Sequence, residues 1–302
     1  MSASESSSVL HLSGSASRGM LSTKLPNGRR YLPPEGFLFR ATKTSDMVND
    51  LDLCYECKPK GAGGFRGICV LINQKKFERL AERRGTDKDA ERIEAIFTRL
   101  RFKVERQDNV PADVLSKALE EVAQRDHSAF DSFVCVILSH GKLGDVYGSD
   151  DKPVSIDKII DRFTKTNSLN NKPKIFFIQA CQGDDTDPGA KFAGAKDAIS
   201  DAVFANKLPD SWDVLLAYSA VPGYLSWRGN RTGSWFIREL CDVLENDANS
   251  TEHHHINTLM SSVARLVAYK YRSRSNAPQF NDMTQMICVV STLTRLMYLT
   301  KI

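Results

Sequence analysis

Long apolar runs are missing from this 302-residue chain: the longest clear one, Phe133 to Leu138, covers six residues. A membrane-spanning helix needs about 20. The N-terminus has neither the basic start nor the apolar stretch of a signal peptide, so no membrane partner is expected. An excess of charge of one sign is also lacking. The net charge is only +4, and no dense Lys/Arg block gives nucleic acid a footprint. Cysteines are few for a disulfide framework: there are seven, an odd number, and they are scattered. That usage points to a reducing compartment, with a cytoplasmic location expected. Cys54-Tyr-Glu-Cys57 has no second CxxC to complete a zinc site. The run His253-His254-His255 has no partner cluster of metal-ligating residues, and Gly61 to Gly64 lacks the GK[ST] that would cradle phosphate. No metal or cofactor is expected.

What is present reads as one α/β unit behind a polar leader. The first 30 residues hold nine serines and few large apolar groups, a composition that cannot bury a core, and ordered sequence is expected from about Leu53. Beyond it, strand and helix patterns alternate. Ile68 to Ile72, Phe102 to Glu105, Phe133 to Leu138, Ile175 to Ile178, Asp213 to Tyr218 and Met286 to Val290 read as strands. Most of these are short unbroken apolar runs, as in strands buried on both faces. Asp87 to Leu100 repeats apolar residues at helical spacing. Pro111 to Gln124, Gly233 to Leu244 and Ile256 to Tyr271 are also expected to be helical. Such alternation implies a mostly parallel central sheet of six strands flanked by helices on both faces. In sheets of that kind the working loops leave the carboxyl ends of strands.

Two such loops carry polar residues directly after an apolar strand. They are Ser139-His140-Gly141 and Gln179-Ala180-Cys181-Gln182-Gly183. A thiol nucleophile needs a base or an electropositive setting, because the thiolate is the reactive form. Cys181 and His140 supply that pair of groups at one sheet edge. Gly141 and Gly183 admit a close backbone, and the N–H groups of Gly141 and Cys181 could face an oxyanion. Taken singly, Cys181 could equally be an inert thiol and His140 a satisfied loop histidine.

The run Gln179 to Gly183 decides between these readings, because Gln-Ala-Cys-Gln-Gly with an upstream histidine is a caspase signature. From about Tyr55 onward the chain resembles the caspases. The resemblance rests on Arg83 to Asp87, Ser139 to Gly141, Ala217 to Ser219, Ser226 to Arg228 and Gly233 to Phe236, all in order. It implies an effector-type cysteine endopeptidase that cuts proteins after aspartate, in a caspase-like fold, acting in apoptosis and made as a zymogen. Cys181 would be the nucleophile, His140 the acid–base and Gly141 an oxyanion donor. Arg83, Gln179 and Arg228 would form the primary pocket. Two guanidinium groups converging there need a carboxylate, whereas a homologue cutting after Lys or Arg would need an acidic pocket. A catalytically dead, purely binding homologue is disfavoured by the intact Cys181 and His140.

By the same resemblance Trp227 and Phe280 shape the second subsite, with Leu225 where tyrosine is common. Ser226 and Arg228 would pair with the substrate backbone. Trp235 would narrow the fourth subsite in favour of aspartate, giving a DxxD-like preference. The loop Arg272 to Gln279 lacks the aromatic pair that some effector caspases carry. The stretch after Gly183 holds Asp184, Asp185, Asp187, Asp197, Asp201 and Asp210, as an activation loop cut by an aspartate-specific peptidase would. Pro188 disfavours cleavage after Asp187. Asp201 is therefore the expected processing site, then Asp197, with Asp46 a possible leader cut. The implied layout is a leader over residues 1–52, a large segment over 53–201 and a small segment over 202–302. Two copies would pair through the small segment into a homodimer. An upstream initiator caspase and inhibitor proteins are the other implied partners.

Overall fold

The computed structural model describes residues 53–56, 62–183 and 213–300. The readings that fall on 1–52 and 184–212, including Asp46, Asp197 and Asp201, lie outside the described residues, as does Cys57.

The chain alternates as its pattern predicts. Strand β1 (Gly67–Asn73) is followed by helix α1 (Thr86–Arg99), β2 (Phe102–Asp108), α2 (Ala112–Ala123) and β3 (Ser132–Leu138). A small antiparallel sheet of β4 (Gly141–Lys142), β5 (Asp145–Tyr147) and β6 (Pro153–Ser155) precedes α3 (Ile156–Thr164) and β7 (Lys174–Gln179). Then come β8 (Val214–Tyr218), the ribbon β9 (Arg228–Gly229) and β10 (Gly233–Ser234), α4 (Trp235–Ala248), α5 (Ile256–Lys270) and β11 (Cys288–Ser291).

The central sheet has six strands in the order β11-β8-β7-β3-β1-β2. All neighbours are parallel except β11, which runs antiparallel to β8. Strands β1, β3 and β7 are buried along their whole length, which explains their unbroken apolar runs. Their side chains divide by parity between two cores. Cys69, Leu71, Val134, Val136, Ile175 and Phe177 face α1, α4 and α5. Ile68, Val70, Phe133, Cys135, Phe176 and Ile178 face α2 and α3.

The differences from expectation lie where local pattern is weak. Strand β2 runs on to Asp108 rather than ending at Glu105, because an edge strand can carry Arg106 and Asp108 facing solvent. Gly233 and Ser234 do not begin a helix. They pair with Gly229 and Arg228, and Ser234 then caps α4 by accepting a hydrogen bond from Ile237 N. The last strand starts at Cys288, two residues later than Met286. Helix α3 and the two-residue strands were not foreseen. Among the described residues no helix is long and apolar enough to cross a membrane.

The strand order reverses direction between β1 and β3. The segments leaving the carboxyl ends of β1, β3, β7 and β8 therefore share one edge, the place where open α/β sheets put their sites.

Candidate active site

Each of those four strands delivers a piece of the predicted constellation. After β1 the chain turns through 74–85 and inserts Arg83, which has no exposed surface. Its Nη1 donates to Gln74 O at 2.9 Å and to Thr86 Oγ1 at 2.8 Å, and Thr86 Oγ1 donates in turn to Asn73 Oδ1 at 2.8 Å. The end of β1 and the first residue of α1 thus clamp one side of the guanidinium. Its Nε and Nη2 are buried with no hydrogen-bond partner. Gly85 follows at φ 87°, and a Cβ there would lie 2.4 Å from Gly229 O. Only glycine lets this loop approach the β9 ribbon.

After β3 comes His140. Its Nε2 lies 2.8 Å from Ala81 O, and its ring sits against Phe77 with centroids 4.7 Å apart. A carbonyl can only accept, so Nε2 carries the proton in the neutral ring and Nδ1 keeps its lone pair. Burial, helped by the positive charges of Arg83 and Arg228, holds the His140 pKa below its usual value, against the opposing bond to Ala81. The ring is neutral at neutral pH.

After β7 comes Cys181, half-buried, its Sγ 4.0 Å from Ser226 O. The His140–Gly141 turn is packed onto this residue. A Cβ at Gly141 would lie 2.7 Å from Asp145 O, 2.8 Å from Ala180 Cβ and 3.0 Å from Cys181 O. Ser139 N donates to Gln179 O at 3.1 Å, which ties the two loops at their roots. Gly183 is crowded in the same way: a Cβ there would lie 2.3 Å from Gly223 O.

After β8 the segment 219–228 lies across both loops. Gln182 N donates to Tyr224 O at 3.0 Å and Gly223 N to Gln182 O at 2.8 Å. Gln179, buried at the last position of β7, donates from Nε2 to Ser226 Oγ at 2.7 Å, while its Oε1 is buried without a partner. Arg228 is half-buried in β9 and donates from Nε to Arg84 O at 3.0 Å. Burial lowers both arginine pKa values, and the Arg228 charge lowers that of Arg83 further; Asp89 and Cys181 act in the opposite sense. Two guanidinium groups and an amide therefore converge beside a thiol, with buried bonding capacity left unmet on Arg83 and Gln179.

The aromatic residues make a row along this edge. Phe280 meets Trp227 edge-on at 6.4 Å, Trp227 stacks on Trp235 at 6.1 Å, and Trp235 stacks on Tyr271 at 5.0 Å. Leu225 is half-exposed in the same segment, between Tyr224 and Ser226.

Three supports had escaped sequence reasoning. Asp89, on α1 and 1% exposed, accepts Ser234 N with both oxygens at 2.9 and 3.1 Å. It joins the helix that follows Arg83 to the ribbon that carries Arg228. Burial raises its pKa to about 6, against the hydrogen bonds to Ser234 and the nearby Arg83 and Arg228 charges. Gln285, also buried, accepts Trp227 N at 2.7 Å and donates to Ser219 O at 2.6 Å. Tyr271 is the third. None has a spacing signal, since each matters only through a distant partner.

The residues set aside stay apart from this edge. Cys54 pairs with Leu296 in an isolated bridge. His254 Nδ1 lies 2.7 Å from Asp247 Oδ1 and His253 Nδ1 3.1 Å from Asp247 O, while His255 stands at the N-cap position of α5 with no side-chain capping bond. A groove of about 770 Å³ between α2 and α3, lined by Glu120, Arg125, Lys158 and Arg162 among others, holds none of the motif residues.

Comparison with known proteins agrees with the geometry. Residues 66–298 match the family model described as the caspase domain. Caspase-3 of Felis catus is 38% identical over 268 residues, covering 86% of this chain and 92% of that one. Caspase-3 of Mus musculus is 38% identical over 237 residues, covering 77% of this chain and 83% of that one. The crystal structure of Caspase-1 from Spodoptera frugiperda superposes with a TM-score of 0.72 at 32% identity, covering 83% of this chain and 95% of that one. The chain belongs to the caspase family, whose members are cysteine-type endopeptidases that cut after aspartate.

Proposed function

We propose that Cys181, His140 and Gly141 carry the peptidase chemistry, and that Arg83, Gln179 and Arg228 receive the aspartate side chain. The observation that carries this reading is Arg83, a fully buried guanidinium with two unpartnered nitrogens, facing the Arg228 charge beside Cys181. Leaving a buried charge so poorly met is costly. A substrate carboxylate would meet Arg83 and Arg228 with charge-assisted hydrogen bonds.

The reaction would run through His140 and Cys181. His140 Nδ1, free because Nε2 donates to Ala81 O, takes the Cys181 proton as sulfur attacks the backbone carbonyl carbon of the bound aspartate. The backbone N–H groups of Gly141 and Cys181 face the oxyanion. The tetrahedral adduct collapses as His140 returns the proton to the leaving amine, giving a thioester. Water, deprotonated by His140, then attacks the thioester and releases Cys181. Ser226 and Arg228 pair with the extended substrate backbone, and the aromatic row receives the second and fourth residues, with aspartate favoured at the fourth.

Two further parts of the reading concern the whole protein. Strand β11 lies at the outer edge of the sheet, with half-exposed residues. A shallow cavity of about 330 Å³ beside it is lined by Met260, Ala264, Ile287 and Val289. Pairing of two copies along this strand would cover both and make a homodimer. Cleavage after Asp201 would divide a large segment (53–201) from a small one (202–302) and activate a zymogen that executes apoptosis. The upstream cutter is itself an aspartate-specific peptidase, since the stretch is rich in aspartate. A peptide library profile of the purified enzyme and its Cys181→Ala variant tests the reading. Turnover confined to aspartate, and lost in a folded Cys181→Ala protein, is the expected result. Near-normal hydrolysis by that variant would exclude the proposed nucleophile.

A further inference from the structure

Helix α4 begins with Trp235, and Glu239 lies one turn later on the same face. Glu239 is 1% exposed, and a buried carboxylate must be paired. Its Oε1 accepts the Lys270 ammonium at 2.8 Å and the Tyr271 hydroxyl. Lys270 ends α5, and Tyr271 leaves that helix in an extended conformation, at φ −121° and ψ 145°. This turn lays the tyrosine along α4. Its ring stacks on the Trp235 indole, centroids 5.0 Å apart and planes 13° from parallel, while its hydroxyl reaches the carboxylate. The Lys270 ammonium sits 5.6 Å from the centroid of the same ring. Burial, with the Glu239 carboxylate beside it, raises the Tyr271 pKa, so the hydroxyl keeps its proton and donates. The indole also meets Trp227, with centroids 6.1 Å apart. Trp235 thus contacts two rings, one of them pinned at its far end by a buried charge.

We propose that Tyr271, anchored through Glu239, is a positioning residue that fixes the Trp235 indole and so makes the fourth subsite refuse bulky residues. The proposal rests on the reading that Trp235 walls that subsite. Without Tyr271 the indole loses its stacking partner and can rotate, which widens the space for the fourth residue.

The test is the ratio of kcat/KM for two peptides that share aspartate at the cut and differ at the fourth position, aspartate against tryptophan. It is measured per titrated active site, so partial misfolding does not enter. Tyr271→Ala should shift the ratio toward tryptophan by about tenfold, the scale of one lost aromatic pair. Tyr271→Leu, which refills the volume without a planar face, should shift it in the same direction and covers the case in which the alanine variant folds poorly. Tyr271→Phe, which keeps the stack, should shift it less than either. Discrimination at the cut-site aspartate should stay unchanged in all three. Trp235→Ala separates the two levels of the argument. If Trp235→Ala broadens the fourth position while Tyr271→Ala and Tyr271→Leu do not, the positioning role is overturned. If Trp235→Ala itself changes nothing, the assignment of the fourth subsite fails, and this inference with it.

Discussion

Replacing Arg83 with methionine keeps the length of the buried stem and removes the guanidinium. Nε and Nη2 of Arg83 are buried and unpaired. Each unsatisfied buried donor costs about 1–3 kcal/mol, so about 2–6 kcal/mol of unmet bonding disappears with the side chain. Against this stand the bonds to Gln74 O and Thr86 Oγ1. Bonds from a charged donor contribute about 1.5–3 kcal/mol each, or about 3–6 kcal/mol together. Repulsion from Arg228, which lowers the Arg83 pKa, is relieved as well. The two sides nearly cancel, so the urea midpoint of Arg83→Met should correspond to a stability within about 2 kcal/mol of the parent. Activity should not be spared. Truncating one partner of a buried charge pair costs about 3–5 kcal/mol, and every 1.4 kcal/mol is about tenfold, so kcat/KM for an aspartyl peptide should fall by about 10²–10⁴. The matched asparaginyl peptide should lose far less. A destabilisation above about 4 kcal/mol would mark Arg83 as a structural ion whose donors are satisfied within the fold. An aspartyl kcat/KM within tenfold of the parent would remove Arg83 from the pocket.

Gly141→Ala would place a Cβ 2.7 Å from Asp145 O and 3.0 Å from Cys181 O. Pushing the His140 turn off Cys181 should lower kcat by about 10²-fold or more, and a kcat within threefold of the parent would contradict the packing argument. Burial of His127, whose Nε2 lies 2.9 Å from Val122 O, lowers its pKa, as does burial of His140. The unfolded chain then binds more protons near its ordinary pKa of about 6.5. The stability these histidines contribute is present above that pH and is lost as pH falls below it. Asp89, raised to about 6, has the opposite sign over the range between its unfolded pKa of about 3.9 and 6. Urea midpoints from pH 7.5 to 5 should therefore fall less steeply in His127→Gln than in the parent, and an identical slope would exclude His127 as a contributor. An Asp197→Ala/Asp201→Ala double variant should stay one chain with little activity. Full activity in that uncut protein, or a small fragment beginning at neither Ala202 nor Ala198, would refute the processing scheme.

The sequence by itself determined the central sheet and singled out the candidate reacting groups. Unbroken apolar runs at Phe133 to Leu138 and Ile175 to Ile178 leave those segments nothing to be but strands buried on both faces. The polar residues that follow each run then emerge at one edge, and QACQG carries its own signature. Elements with no periodicity of their own could not be read in this way. The ribbon of Arg228–Gly229 with Gly233–Ser234 exists only as a pair, and Asp89 holds it from another part of the chain. Tertiary structure alone decided that Arg83 is buried with nitrogens to spare and which His140 nitrogen keeps its lone pair. It also decided that Tyr271 and Glu239 brace an indole from outside any motif. Each of these depends on a partner dozens of residues away or on a backbone carbonyl. Local sequence fixes which groups a chain possesses, whereas hydrogen bonding and burial between distant segments decide which of them remain unsatisfied.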